Sequence, residues 1–285
     1  MSPRRGVLGA LGAGVAGIVE LIQGGDHAAP KPHVAEGTTR LVEHYGSGIR
    51  QLGEWWGPPA GTGLLPTVVL IHGGFWRPTY DLHLEDALAA DLAGRGYLVW
   101  NVDYAAADAP WPATLTDAAA AYDFAFQGRY ADRIDHARVA VAGHSAGGHL
   151  ALWLASRGRL PRGAPGAGTH VVPALSVPQA PVAALAKASA LRLGDGAVDV
   201  LLGGSPTSVP ERYAVADPAA LTPSGVRTVL VHGVDDDTVP LSQSLDYLAA
   251  AGVGCTLARV AGGHFEHLDP TSPACDALRA ALATL

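Results

Sequence analysis

The chain has 285 residues, 48% of them hydrophobic and 16% charged, and a net charge of −7. This composition excludes a disordered polymer and supplies ample apolar material for a sheet buried on both faces. Lysine occurs only at Lys31 and Lys187 and the arginines are scattered, which excludes the massed basic face of a nucleic-acid binder and leaves a small molecule as the expected partner.

Residues Met1 to Arg40 differ in character from the rest of the chain. Arg4-Arg5 precede an apolar run rich in glycine and alanine, Val7 to Val19, and a polar stretch from Gln23 to Glu36 contains Pro30 and Pro32. The pattern reads as a signal segment of the twin-arginine kind, so export is favoured over a cytoplasmic location. Glu20 ends the apolar run early and His27-Ala28-Ala29 is a poor cleavage site, so a frayed tail is the alternative. The run is too short for a stable membrane span. Residues 41–285 then form one domain.

Tyr45 to Trp56 alternate loosely and predict an antiparallel hairpin at a sheet edge. Thr67 to Ile71 is a fully apolar β-branched run, as in a strand buried on both faces, and it ends in His72-Gly73-Gly74-Phe75-Trp76. A helix is predicted from Asp81 to Ala93, stopped by Gly94 and Gly96, then a strand from Tyr97 to Val102 and a helix capped by Thr116 and running to about Phe126. Further strands are expected at Val171 to Val177, Thr228 to His232 and Cys255 to Val260, with helices over Ser242 to Ala251 and Ser272 to Leu285. Residues 180–218 break this rhythm with Gly194-Asp195-Gly196 and Gly203-Gly204-Ser205-Pro206, and read as a short cap-like helical insertion over the strand ends. The alternation as a whole prescribes one doubly wound sheet. Cys255 and Cys275 have neither metal-ligand spacing nor the density of a disulfide framework, and no metal or cofactor is expected.

The chemistry concentrates at Arg138 to Leu150, a β-branched strand running through Gly143-His144-Ser145-Ala146-Gly147 into an apolar helix. Gly143 and Gly147 lack the Cβ atoms that would collide in so sharp a reversal, and the helix points free N–H groups toward any oxyanion formed beside Ser145. A serine hydroxyl needs a base to become nucleophilic, and histidine, titrating near neutrality, can take its proton and later return it to the leaving group. His264, directly after Gly262-Gly263, is the favoured base over His267. An aspartate after the penultimate strand would orient the imidazole; Asp235, Asp236 and Asp237 are the candidates.

Gly143-x-Ser145-x-Gly147 with its flanking strand and helix resembles the nucleophile elbow of the α/β-hydrolase superfamily, and the order Ser, Asp, His is that superfamily's order. The pattern His232-Gly-x-x-Asp236-x-x-Val-Pro is similar to that of the dipeptidyl and prolyl peptidases and selects Asp236 as the acid. Together with Gly263-His264-Phe265, the loop His72-Gly73-Gly74-Phe75-Trp76 resembles the branch holding kynurenine formamidase-like enzymes and hormone-sensitive-lipase-like esterases, over nearly the whole chain from Tyr45. The resemblance implies a mostly parallel α/β-hydrolase sheet and oxyanion donors on the backbones of Gly74, Phe75 and Ala146. Related sequences often carry Asn-Tyr-Arg or Glu-Tyr-Arg where this chain has Asp103-Tyr104-Ala105. Trp76, His144 and Trp111 are candidates for the substrate pocket, with packing as the competing role. The expected activity is hydrolysis of small carboxylic esters through an acyl-enzyme, with an arylformamidase as the runner-up, a peptidase third, and a hydrolase-fold binder without turnover as the alternative outside the enzymes.

Overall fold

The computed structural model describes residues 34, 38–57, 63–168 and 171–285. The expected signal segment lies, but for a few residues at its end, outside the described residues. Eight strands form one sheet in the order β1-β2-β4-β3-β5-β6-β7-β8: β1 Thr39–His44, β2 Leu52–Gly57, β3 Leu65–Ile71, β4 Leu98–Val102, β5 Ile134–His144, β6 Leu175–Gln179, β7 Arg227–Gly233 and β8 Cys255–Val260. β1 and β2 pair antiparallel, as do β2 and β4, and every other pairing is parallel.

The pleat explains why β3 and β5 read as unbroken apolar runs. Val69 and Ile71 pack on one face with Val139 and Val141, while Val68 and Leu70 pack on the other with Ala140 and Ala142. Helices α1 Asp86–Gly94 and α8 Pro273–Leu282 cover the second face, and α2 Ala113–Ala125 and α3 Ala146–Ala155 the first. The residues expected to insert between β6 and β7 form α4 Leu185–Ala190, α5 Leu193–Leu202 and α6 Pro210–Ala216, and α7 Ser242–Ala251 follows β7.

Several boundaries differ from the sequence reading. The edge hairpin starts at Thr39, and Tyr45 to Gln51 form its turn, closed by the Tyr45 N–H on the Gln51 carbonyl at 3.0 Å. The helix expected from Asp81 splits: Asp81 caps a 3-10 turn, Leu82–Glu85, through the His83 N–H, and α1 begins only at Asp86. Thr116 is not a cap; α2 starts three residues earlier, and the Thr116 hydroxyl bonds back to the Pro112 carbonyl at 3.2 Å. The strand expected at Val171 is displaced to Leu175–Gln179, because bonding to β5 begins only with the Ala174 N–H on the Val139 carbonyl at 2.8 Å and pairing with Ala140 opposite Leu175. Cys255 and Cys275 are both free thiols.

Candidate active site

The loops that follow β3, β5, β7 and β8 meet at the carboxyl ends of these strands, where an open α/β sheet offers a crevice. Ser145 stands between β5 and α3 at φ 57°, ψ −116°. Glycine is required on both sides of it: a Cβ on Gly143 would lie 2.5 Å from the Gly147 carbonyl oxygen and 2.7 Å from that of Ile71, and one on Gly147 would run into the Ile71 carbonyl. The Ser145 N–H bonds the Gln179 carbonyl of β6 at 2.8 Å, which ties the strained residue to the sheet.

His264 follows β8, and its Nδ1 lies 2.7 Å from Asp236 Oδ2. Both side chains are buried. The other carboxylate oxygen of Asp236 accepts the N–H groups of Thr238 at 2.9 Å and Val239 at 2.7 Å. Burial alone would raise the Asp236 pKa, but hydrogen bonds from His232, His264 and Val239 outweigh it and hold the carboxyl well below the ordinary range. His232 takes part because Ser244 donates to its Nδ1 at 2.7 Å, leaving Nε2–H for the Val239 carbonyl at 2.9 Å and Asp236 Oδ2 at 3.3 Å. Of the aspartates in this turn, Asp235 and Asp237 are exposed. His267 is buried beyond the dyad with Nε2 unpartnered among the described residues, and burial lowers its pKa to about 3.

The cleft is lined by Gly74, Phe75, Tyr80, Leu84, Phe265 and Leu268 around Ser145 and His264, with Arg77, His144 and Thr238. Gly74, Phe75 and Trp76 lie in the left-handed region at φ 103°, 51° and 55°. The N–H groups of Gly74, Phe75 and Ala146 have no acceptor among the described residues. The sequence reading placed three pocket candidates, and the structure puts one of them in the lining. His144 faces the cleft and links two loops, its Nε2 donating to the His264 carbonyl at 2.9 Å. Burial, then the nearby His264 and His267, drives its pKa well down, so it is neutral. Trp76 instead points into the core, edge-on to His149 at 5.2 Å, because Phe75 takes the cleft side of the turn. Trp111 packs beneath the Arg212 guanidinium of α6 at 5.8 Å, on the flank of the sheet. His149 is fully buried, its Nε2 on the Ala216 carbonyl at 3.0 Å and its pKa lowered to about 4 by burial.

The support of the Gly74 loop escaped the sequence reading. His72 Nε2 lies 3.1 Å from Asp103, and its ring stacks on Tyr104, whose hydroxyl donates to the His72 carbonyl at 2.8 Å. Arg50, from the edge hairpin, donates to Asp103 at 2.7 Å and to the carbonyls of Tyr104, Pro78 and Tyr80. The available signal was the arginine absent at position 105, since Asp103 still needs a cation beside it.

A parallel sheet with a strained strand-to-helix serine, and an aspartate–histidine pair reaching the same cleft from the loops after β7 and β8, defines the α/β-hydrolase fold. Within that fold the chain belongs to the BD-FAE family, which it matches over residues 55–250. Carboxylesterase NlhH of Mycobacterium tuberculosis is 36% identical over 104 residues, covering 36% of this chain and 32% of that protein, so the matched stretch spans about a third of the curated relative. Among solved structures, an inhibited esterase B from Lactobacillus rhamnosis superposes with a TM-score of 0.73 at 24% identity, covering 89% of this chain and 90% of the other. A truncated carbohydrate esterase from gut microbiota gives 0.72 at 19%, covering 88% and 97%. At these identities the likeness shows the fold.

Proposed function

We propose that the protein is a carboxylic ester hydrolase working through an acyl-enzyme. Ser145 attacks the ester carbonyl, His264 takes its proton and returns it to the leaving alcohol, and Asp236 holds the imidazole with Nδ1 protonated so that Nε2 is the base. The N–H groups of Gly74, Phe75 and Ala146 receive the oxyanion; each such donor commonly contributes about 3 kcal/mol to the transition state. Water then repeats the sequence on the acyl-enzyme. The observation that carries this reading is the 2.7 Å Asp236–His264 pair opening on the same cleft as Ser145. The carboxylesterase and esterase names of the similar proteins support it. The apolar lining suits a small acyl group.

The test is turnover of p-nitrophenyl acetate, p-nitrophenyl octanoate and N-formylkynurenine side by side, with Ser145→Ala as control. Ester cleavage that the variant loses by about three orders of magnitude or more supports the reading. Cleavage of the formamide alone replaces it with an arylformamidase, and a wild-type protein that no organophosphonate labels at Ser145 is a binder. We further read Arg4-Arg5 and the apolar run after them as an export signal; N-terminal sequencing of protein from its native cell that begins at Met1 or Ser2 overturns this.

A further inference from the structure

Residues Gly74, Phe75 and Trp76 are consecutively left-handed, and such a run persists only where its surroundings hold it. Several of the holding contacts come from the loops after β3 and β4. The Arg77 N–H closes on the Gly74 carbonyl at 3.0 Å, the Ala107 N–H bonds the Trp76 carbonyl at 2.7 Å, and the Tyr80 ring fills the space a Gly74 Cβ would need. One group of contacts comes from elsewhere in the chain. At the start of α5 the backbone is left-handed at Arg192, Gly194, Asp195 and Gly196, with φ 52°, 56°, 58° and 85°. This turn lays Gly194 on the Phe75 ring so closely that a Cβ there would stand 2.7 Å from ring carbons. Arg77 fastens the two turns: its Nη2 donates to the Gly194 carbonyl at 2.8 Å, Asp195 lies 3.8 Å from it, and its guanidinium sits 6.0 Å from the centre of the Phe75 ring.

From these contacts we infer that the insertion is a clasp on the oxyanion loop, with Gly194 and Arg77 as positioning residues for the Phe75 N–H; the inference rests on the ester-hydrolase reading. The geometry forces the coupling. To leave the left-handed region Phe75 must swing its Cβ and ring, and the ring is closed in by Gly194 on one side and by Arg77 over it. Pinning the ring therefore pins the peptide beside the cleft whose N–H has no acceptor among the described residues. A turn that merely covered the cleft would not need a hydrogen bond to the residue two beyond Phe75.

The experiment compares Gly194→Ala, Arg77→Gln and Arg77→Lys with wild type on p-nitrophenyl acetate, with active sites counted by organophosphonate titration. Affinity for a trifluoromethyl ketone, which forms an oxyanion when Ser145 adds to it, is measured in parallel. The expected result is a fall in kcat per titrated site of about 10–100-fold in Gly194→Ala, with KM changed less than about 2-fold and ketone affinity falling in step with kcat/KM. Arg77→Gln, which adds no Cβ, carries the same signature should Gly194→Ala fail to fold, and Arg77→Lys recovers part of it by keeping the positive charge without the planar fork. If kcat per titrated site and ketone affinity stay within about 2-fold of wild type in the variants that fold, the clasp is overturned while the esterase reading stands. If wild type cleaves no ester, both fall together.

Discussion

Arg50 and Asp103, separated by 53 residues, meet at 2.7 Å beneath the loop that presents Gly74 and Phe75. The same guanidinium spans the carbonyls of Pro78, Tyr80 and Tyr104, so one planar fork joins the edge hairpin to the loops that follow β3 and β4. Arg50→Met is expected to cost roughly 2–3 kcal/mol of stability, through loss of a charge-assisted bond and exposure of carbonyls to each other. Arg50→Lys should recover little of it, since one ammonium cannot reproduce the fork. Urea denaturation of the two variants checks this, and a lysine variant as stable as wild type would contradict it.

Asp236 carries two linked expectations. Asp236→Asn should lower kcat by about four orders of magnitude by favouring the wrong imidazole tautomer, with the fold intact by circular dichroism. The carboxyl also holds a native-state pKa below its free value of 3.8. The unfolded chain therefore binds its proton first as pH falls, and the stability this group contributes is present above about pH 4 and lost below it. A plot of melting temperature against pH should fall less steeply on its acid side in Asp236→Asn than in wild type.

Glu85 shows the opposite sign. It is wholly buried with neither carboxylate oxygen partnered among the described residues, and burial, followed by the neighbouring Asp86, raises its pKa from 4.5 to about 8. The folded protein keeps a proton that the unfolded chain releases, so stability declines as pH rises from 4.5 toward 8 and levels off beyond. Glu85→Gln keeps the shape and removes the titration. Between pH 5.5 and 8 wild type should lose on the order of 3 kcal/mol that the variant retains, measured by denaturant titration at the two pH values.

Glycines in this chain divide sharply by what surrounds them. Gly143→Ala should destabilise by about 3 kcal/mol or more and deplete soluble protein, because its Cβ meets two carbonyl oxygens of neighbouring backbone. Gly158→Ala, with nothing within 4 Å and ordinary φ, should be neutral to within about 0.5 kcal/mol. Melting temperatures of the two variants, measured together, test the contrast.

Much of this architecture could be read from residue order because parallel strands buried on both faces must be continuously apolar, and Val68 to Ile71 and Val139 to Ala142 are. Ser145 was legible for a related reason, since a strand, two glycines and a helix leave the chain one way to turn. What escaped notice depends on side chains meeting across long separations. Arg50 lies in a turn whose sequence, Gly46 to Gln51, resembles any polar hairpin tip, and only the pairing of β2 with β4 delivers it to Asp103. Composition does not say which of two adjacent aromatics in a left-handed turn faces inward, and here Trp76 does while Phe75 lines the cleft. Arg77 and Gly194, 117 residues apart, carry no joint signature along the chain.

The family match opens at residue 55 and closes at 250. Arg50 stands upstream of that window and His264 downstream, yet one props the loop facing the serine and the other holds the imidazole against Asp236. A fragment trimmed to the window would keep Ser145 and Asp236 while discarding His264 and Arg50. A comparison of these proteins held within such limits would weigh the Ser145 side of the cleft and leave out the flanks that keep this chain's histidine and loop in line.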